Sequence, residues 1–254
     1  LKRDERRQAI MDLLVEARAV DLDDLAERFA VSKMTIHRDL DDLDQAGLLR
    51  KVRGGATIDA GTQFESDFRI RETQDAEAKA RMARAALDLV DPGMTVMVND
   101  GSMAALLGGS LTEKAPLTVI TNNAAVIDRL KEAPRVTLMA LGGVFSAKFN
   151  GFFGMVTEDS LSRLRADIAF ISAPAVSGLQ AFHQDDNAVR AKRAMMAVAD
   201  RKVLLVNHQR FGRSALQSLA RLTDFHTIIT DAPPAPEARA HLDRAGIALI
   251  IAKD

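Results

Sequence analysis

From residue 75 onward the chain alternates short apolar, β-rich runs with Ala-rich helical patterns. The runs cover 95–98, 117–121, 136–141, 167–172, 202–206, 227–230 and 248–251, and helical patterns over 78–90, 124–131, 188–199 and 236–245 stand among them. A strand that is apolar throughout must be covered on both faces. Helices packed on both sides of a mostly parallel sheet do this, so the expected fold class is α/β. Hydrophobic residues make up 47% of the chain, enough for a substantial core. None of the runs approaches the roughly 20 apolar residues that cross a bilayer, and no membrane partner is expected.

Residues 1–57 follow another pattern. Ile10, Leu13, Leu14 and Ala17 hold the i, i+3, i+4, i+7 spacing of one helix face. After an extended Ala19-Val20, Asp21 and Asp24 make a capping-box-like start to a second helix with Leu22, Leu25, Ala26 and Phe29 on its apolar side. Ser32 suits the N-cap of a third helix, with Ile36, Leu40 and Leu43 inward and Gly47 placed to end it. Lys33, Thr35, His37 and Arg38 remain on its N-terminal half, and they cannot all be core. Such a helix start can offer donors to phosphates and base edges in a major groove, and Arg38 can read guanine in bidentate fashion. Arg50, Lys51 and Arg53 then precede Gly54-Gly55, as in a hairpin whose tip meets phosphates or the minor groove. A plain charged surface fits the same residues, and Asp39, Asp41, Asp42 and Asp44 would repel DNA if they faced it. The net charge of −1 argues against a bulk nucleic-acid binder and asks for cations segregated on one face.

The stretch AVDLDDLAERFAVSKMTIHRDLDDLDQAGLLRKVRGGA resembles the winged helix-turn-helix of the DeoR family of transcriptional repressors. The resemblance implies that Ser32, Lys33, Thr35, His37, Arg38, Arg50, Lys51, Arg53 and Gly54 face double-stranded operator DNA. His37 stands where the family usually has Arg, and Arg53 where it usually has His. Both keep a donor and change its charge, which bears on operator preference.

In the α/β region the polar candidates follow strands, where open α/β sheets place ligands. Asn99, Asp100, Gly101 and Ser102 come after 95–98. Gly101 lets the backbone turn, and Ser102 with free N–H groups can face an anion, although a plain turn has the same composition. Thr121, Asn122 and Asn123 can hold sugar hydroxyls or cap the next helix. Gly142 and Gly143 let the chain pass close to a ligand or simply turn. Lys192 lies on an otherwise apolar helix face, aimed at an anion or snorkelling to solvent. His208 and Arg210 follow 202–206 and can reach the same strand-end crevice or belong to a surface loop.

These loops also resemble the sensor domain of DeoR-family regulators, which is similar to ribose-5-phosphate isomerase and glucosamine-6-phosphate deaminase folds. The Asp-Gly-Ser loop, LTVITNN, LGG, DIAFISA, AKRAMM and VLLVNHQRFGR carry the likeness, which ends on Thr230-Asp231. It implies a phosphorylated sugar or related metabolite as effector, with phosphate held by the first loop and Lys192. It also implies a homo-oligomer, dimer or tetramer, that represses carbohydrate catabolic genes. Asn99 replaces a common Asp, Met103 a usual Thr and Asn207 the usual Asp before His208. No acid clearly stands in the usual place before Lys192, although Asp185 and Asp186 are near.

A rival reading is an active isomerase or deaminase joined to a DNA-binding domain. Such chemistry needs a general base, and the amides Asn99 and Asn207 cannot serve, which leaves Asp100 and His208. An enzyme is therefore not expected. No GxGxxG follows the first strand, so no dinucleotide cofactor is expected. Cys is absent and the five His lack metal-ligand spacing, so neither a metal nor another cofactor is expected. The opening LKRDERRQAI has no apolar stretch behind its charges, so a cytoplasmic location is expected. The domain plan is 1–57 for DNA binding, 58–74 as a polar linker and 75–254 for sensing.

Overall fold

The computed structural model describes residues 2–45, 48–57 and 68–253, and the chain forms two compact units, 1–74 and 75–254. Gly47 and residues 58–67, part of the stretch read as a linker, lie outside the described residues.

In the first unit α1 (Arg3–Ala17), α2 (Leu22–Arg28) and α3 (Lys33–Gln45) pack on a three-stranded antiparallel sheet. That sheet has β3 (Gly55–Thr57) between β1 (Ala19–Asp21) and β2 (Arg50–Val52). The caps follow the chemistry of the sequence. Asp21 Oδ1 accepts from Asp23 N at 2.7 Å and Asp24 N at 3.3 Å, and Ser32 Oγ accepts from Thr35 N at 3.2 Å. Ile10, Leu14, Leu22, Leu25, Ile36, Leu40, Leu43 and Leu49 form the core. The face of α1 is rotated from the expected one: Met11 is buried with Ile10 and Leu14, while Ala17, at the last turn, is exposed. Gly55 is required by close approach, because a Cβ there would stand 2.0 Å from the Val20 carbonyl oxygen. The polar stretch after the sheet contains a short helix, α4 (Phe68–Thr73), whose Phe68 is buried.

The second unit is built on seven parallel strands: β4 (Thr95–Val98), β5 (Leu117–Thr121), β6 (Val136–Ala140), β9 (Ala166–Ser172), β12 (Ala199–Leu205), β14 (Thr227–Thr230) and β15 (Ala248–Ile251). These are the seven apolar runs, in the order β15-β14-β12-β9-β4-β5-β6. Helices α5 (Ala76–Leu87), α6 (Ser102–Ser110), α7 (Ala124–Leu130), α8 (Met155–Ser162), α9 (Asp186–Ala197) and α10 (Pro236–Arg244) complete the α/β unit. Two smaller sheets have no counterpart in the sequence reading. One is the hairpin β7 (Val144–Ser146) with β8 (Gly151–Phe153), and the other joins β10 (Ala175–Ser177), β11 (Gln180–His183) and β13 (Gln217–Arg221).

The strand order fixes where a ligand can enter. From β4 the chain winds outward through β5 and β6, then returns to lay β9 on the other side of β4. The carboxyl ends of β4 and β9 therefore flank a topological switch point, where connections leave in opposite directions and open a crevice.

Candidate functional site

The outward surface of α3 and the β2–β3 hairpin carry the first set of candidates. Ser32, Lys33, His37, Arg38, Arg50, Arg53 and Gly54 are exposed, and Thr35 and Lys51 are half-buried. The tip holds Arg53 and Gly54, and Gly54 takes φ +85°, which a side chain rarely adopts. Ser32 and Thr35 are turned to local work, with their hydroxyl oxygens 2.9 Å apart at the helix start. Two cations are also engaged: Lys33 Nζ lies 2.7 Å from Asp23 Oδ2, and Lys51 Nζ lies 2.5 Å from Asp41 Oδ1.

The acids of α3 do not form a repelling face. Asp39 is 2% exposed; it accepts from Arg6 Nε at 2.5 Å and Arg7 Nε at 3.3 Å. Asp42 accepts from Arg3 and Arg7, and Asp44 Oδ1 from the Lys51 backbone N–H at 3.3 Å. The arginines of α1 thus neutralise the rear of α3 and fix its tilt. Sequence reasoning missed this clamp, although the cations of the first two turns of α1 were its only signal.

At the switch point of the second unit the structure brings together Asn99, Asp100, Gly101, Thr121, Asn122, Asn123 and Lys192. Lys192 is 2% exposed; its Nζ donates to the Ser172 carbonyl oxygen at 3.1 Å and lies 3.5 Å from Asp100 Oδ2. It is a buried cation, not a snorkelling one. Asn99 ties the two strand ends: its Oδ1 accepts from Ser172 N at 3.0 Å, and its Nδ2 approaches Ser172 Oγ at 3.2 Å. Ser172 was not singled out in the sequence, since a Ser ending a buried strand looks ordinary. Gly101 caps α6 at φ +104°, and Ser102 opens that helix nearly buried. The α6 start can therefore present N–H groups to an anion beside the Lys192 ammonium.

Thr121 and Asn123 serve the scaffold instead of facing a ligand. Thr121 Oγ1 donates to the Val98 carbonyl at 2.6 Å and accepts from Asn123 N at 3.0 Å. Asn123 Nδ2 donates to the carbonyls of Asn99 and Gly101, each at 3.1 Å, while its Oδ1 accepts from Ala125 N at 3.1 Å at the start of α7. Asn122 differs. Its Nδ2 donates to the Phe152 carbonyl at 3.0 Å, yet its buried Oδ1 has no hydrogen-bond partner among the described residues. A buried acceptor left open costs about 1–3 kcal/mol, which a ligand donor would recover.

Gly142 and Gly143 lead into the β7–β8 hairpin. The Gly142 carbonyl accepts from Thr157 Oγ1 at 2.6 Å, and a Cβ on Gly143 would stand 2.4 Å from the Phe153 carbonyl oxygen. Gly143 needs to be glycine for that close approach and its φ of +136°, whereas a Cβ on Gly142 would meet only Val156 Cγ1 at 3.9 Å. The hairpin in turn lies over the crevice, for a Cβ on Gly151 would come within 3.0 Å of the Asn122 carbonyl oxygen and 3.3 Å of Asp100 Cβ.

His208 belongs to a second cluster, beyond β12. Its Nδ1 lies 2.8 Å from Asp231 Oδ2, its backbone N–H donates to Asp231 Oδ1 at 2.7 Å, and Asn207 Nδ2 reaches Asp231 Oδ2 at 3.2 Å. Arg210, two residues on, is half-buried. Buried His183 was also missed; its Nδ1 accepts from Asp185 N at 3.1 Å, and Asp185 caps α9, the helix that carries Lys192. Among the described residues no group of His, Cys, Asp and Glu is arranged to hold a metal ion, and no helix is long and apolar enough to cross a membrane.

Comparison with known proteins adds an independent line. Residues 74–232 match the family model for the DeoR C-terminal sensor domain, and residues 6–62 that for the DeoR-like helix-turn-helix domain. The glycerol-3-phosphate regulon repressor of Escherichia coli is 27% identical over 238 residues, covering 92% of this chain and 93% of that protein. The L-fucose operon activator of Haemophilus influenzae is 31% identical over 209 residues, covering 82% of this chain and 84% of that one. Among solved structures, ribose 5-phosphate isomerase from Methanocaldococcus jannaschii aligns with TM-score 0.41 at 19% identity, over 54% of this chain and 55% of that one.

Proposed function

Because the chain belongs to the DeoR family of transcriptional regulators, we propose that it binds double-stranded operator DNA and represses carbohydrate catabolic genes until a phosphorylated sugar or related metabolite reaches its crevice. The observation that carries the sensing half is Lys192, a buried ammonium set beside the start of α6 at the switch point. A phosphate entering there replaces Asp100 as its counter-ion, and a sugar hydroxyl can donate to the open Asn122 Oδ1. His208, oriented by Asp231, and Arg210 line the approach from the neighbouring strand end. The glycerol-3-phosphate repressor supports an effector of this chemistry.

The crevice binds without turnover in this reading. Asn99 and Asn207 are amides, and Asp100 and His208 already hold Lys192 and Asp231. The first half rests on α3, which turns His37 and Arg38 outward with Arg50 and Arg53 on the wing. The unit works as a homo-oligomer, and edge strand β6 with the adjoining hairpin and α8 supports this: Met139, Val144, Phe145, Met155 and Val156 are large, apolar and exposed there. A chromosomal target places the protein in the cytoplasm.

The test is selection of duplexes from random DNA on the full chain, followed by titration of the selected duplex with phosphorylated sugars, polyols and sugar acids. Wild type is expected to enrich one sequence, and one phosphorylated compound is expected to shift its affinity by about 5–150-fold. The sign of that shift separates repressor release from the activator behaviour of the fucose relative. Arg38→Ala is expected to lose the selected sequence and keep the effector, whose binding still raises the melting temperature. An Arg38→Ala chain that still protects the selected duplex would refute the assignment of α3.

A further inference from the structure

Lys33, Met34, His37, Arg38 and Asp41 are exposed along the outward side of α3. Two of them are spoken for, Lys33 by Asp23 and Asp41 by Lys51. Met34, His37 and Arg38 have no side-chain hydrogen bond or ion pair among the described residues, and Met34 is 61% exposed. Their i, i+3, i+4 spacing gathers them into one patch. A scattered exposed apolar residue is ordinary. Met34 is different because it stands beside His37 and Arg38, exposed and without a side-chain partner among the described residues, at the second residue of the helix. The first residues of a helix seated in a major groove are those that reach base edges.

The major groove offers one apolar feature, the C5-methyl of thymine. Methionine, flexible and polarisable, fits irregular apolar surfaces. We infer that Met34 is a specificity-determining residue that packs on a thymine methyl next to the base pair read by Arg38. The inference rests on the proposed role of α3 as the DNA-reading helix. Residues four apart on a helix are separated by about 6 Å along its axis, and stacked bases by about 3.4 Å. The thymine therefore lies within about two base pairs of the base that Arg38 contacts.

The experiment uses the full chain and the duplex selected by wild type. Each thymine is replaced in turn by deoxyuridine, which removes the methyl and nothing else, and affinity is read from the anisotropy of a dye-labelled duplex. One thymine per half-site is expected at which uracil weakens wild-type binding about fourfold, the equivalent of the ~0.8 kcal/mol of one buried CH₂. That position should fall within about two base pairs of the site where Arg38→Ala loses base preference. M34A should bind the thymine duplex more weakly and be indifferent to uracil there, while M34L, still apolar, keeps the sensitivity. A melting temperature of M34A equal to that of wild type separates this result from misfolding. Wild-type indifference to uracil at every position, or an M34A chain that loses the same factor as wild type, overturns the inference. A wild-type chain that enriches no sequence instead removes the reading of α3 as the DNA-contacting helix, and this proposal with it.

Discussion

On α3 the side chains offered to a partner are free and wet: His37 and Arg38 are exposed and make no ion pair among the described residues. At the switch point of the second unit Asn99, Asp100, Thr121, Asn123 and Lys192 are buried and already bonded within the protein, while Asn122 Oδ1 is open among the described residues. Under the proposed function the two surfaces are prepared for different tasks. A DNA face must approach a highly charged polymer without first giving up interactions, so its readers stand clear of the fold. A small-molecule crevice must pass a signal into the protein. Its groups are therefore woven into the strand ends, where exchanging one counter-ion for another disturbs the scaffold.

This contrast makes function separable from stability in one unit and inseparable in the other. The largest effect is expected from Lys192→Ala. It strips a buried carboxylate, Asp100, of its cation, and breaking such a pair costs about 3–5 kcal/mol. Calorimetry or circular dichroism should show the second unit melting lower by on the order of 10 °C, with effector binding lost. A Lys192→Ala protein as stable as wild type would mean the pair is not closed in solution. Next comes Asp39→Ala in the first unit. It removes the buried carboxylate that accepts from both Arg6 and Arg7 and should cost about 3 kcal/mol, weakening DNA binding only by loosening α3. An Asp39→Ala chain with normal melting but no DNA binding would move Asp39 from clamp to contact. The smallest effect on folding is expected from Arg38→Ala, within about 0.5 kcal/mol of wild type although base discrimination falls by about 1–3 kcal/mol. A clearly lowered melting temperature for that variant would break the contrast.

Much of this was legible because its signals are local. The seven strands of the large sheet follow from runs such as Leu117–Thr121 and Thr227–Thr230, whose composition demands cover on both faces. Asp21 and Ser32 cap their helices as residues of their type do. What escaped depends on partners distant in sequence. The hairpin of β7 and β8 has three-residue strands, too short to show a period. Lys192 was found by its position on an apolar face, but its neighbours Asp100 and Ser172 come from two other strand ends, so its burial was not readable. Thr121 and Asn123 had the right chemistry for a ligand and spend it on the backbone of the neighbouring loop, a choice only the folded chain reveals. Met34 was not singled out, because one methionine among polar residues carries no pattern of its own.

The ion pairs on the helix-turn-helix have a consequence for how its grip responds to salt. Of the five cations proposed to face DNA, Lys33 and Lys51 come with their own carboxylates, Asp23 and Asp41. A lysine that brings its counter-charge displaces no sodium or potassium ion from the duplex. Arg38, Arg50 and Arg53 are left to do so, and the logarithm of the association constant should fall against the logarithm of salt concentration with a slope of about −2.7 per DNA-bound unit, against about −4.5 if all five took part. Removing the Asp41 carboxylate should steepen that line, making the protein hold DNA more tightly in dilute buffer and release it over a narrower range of ionic strength.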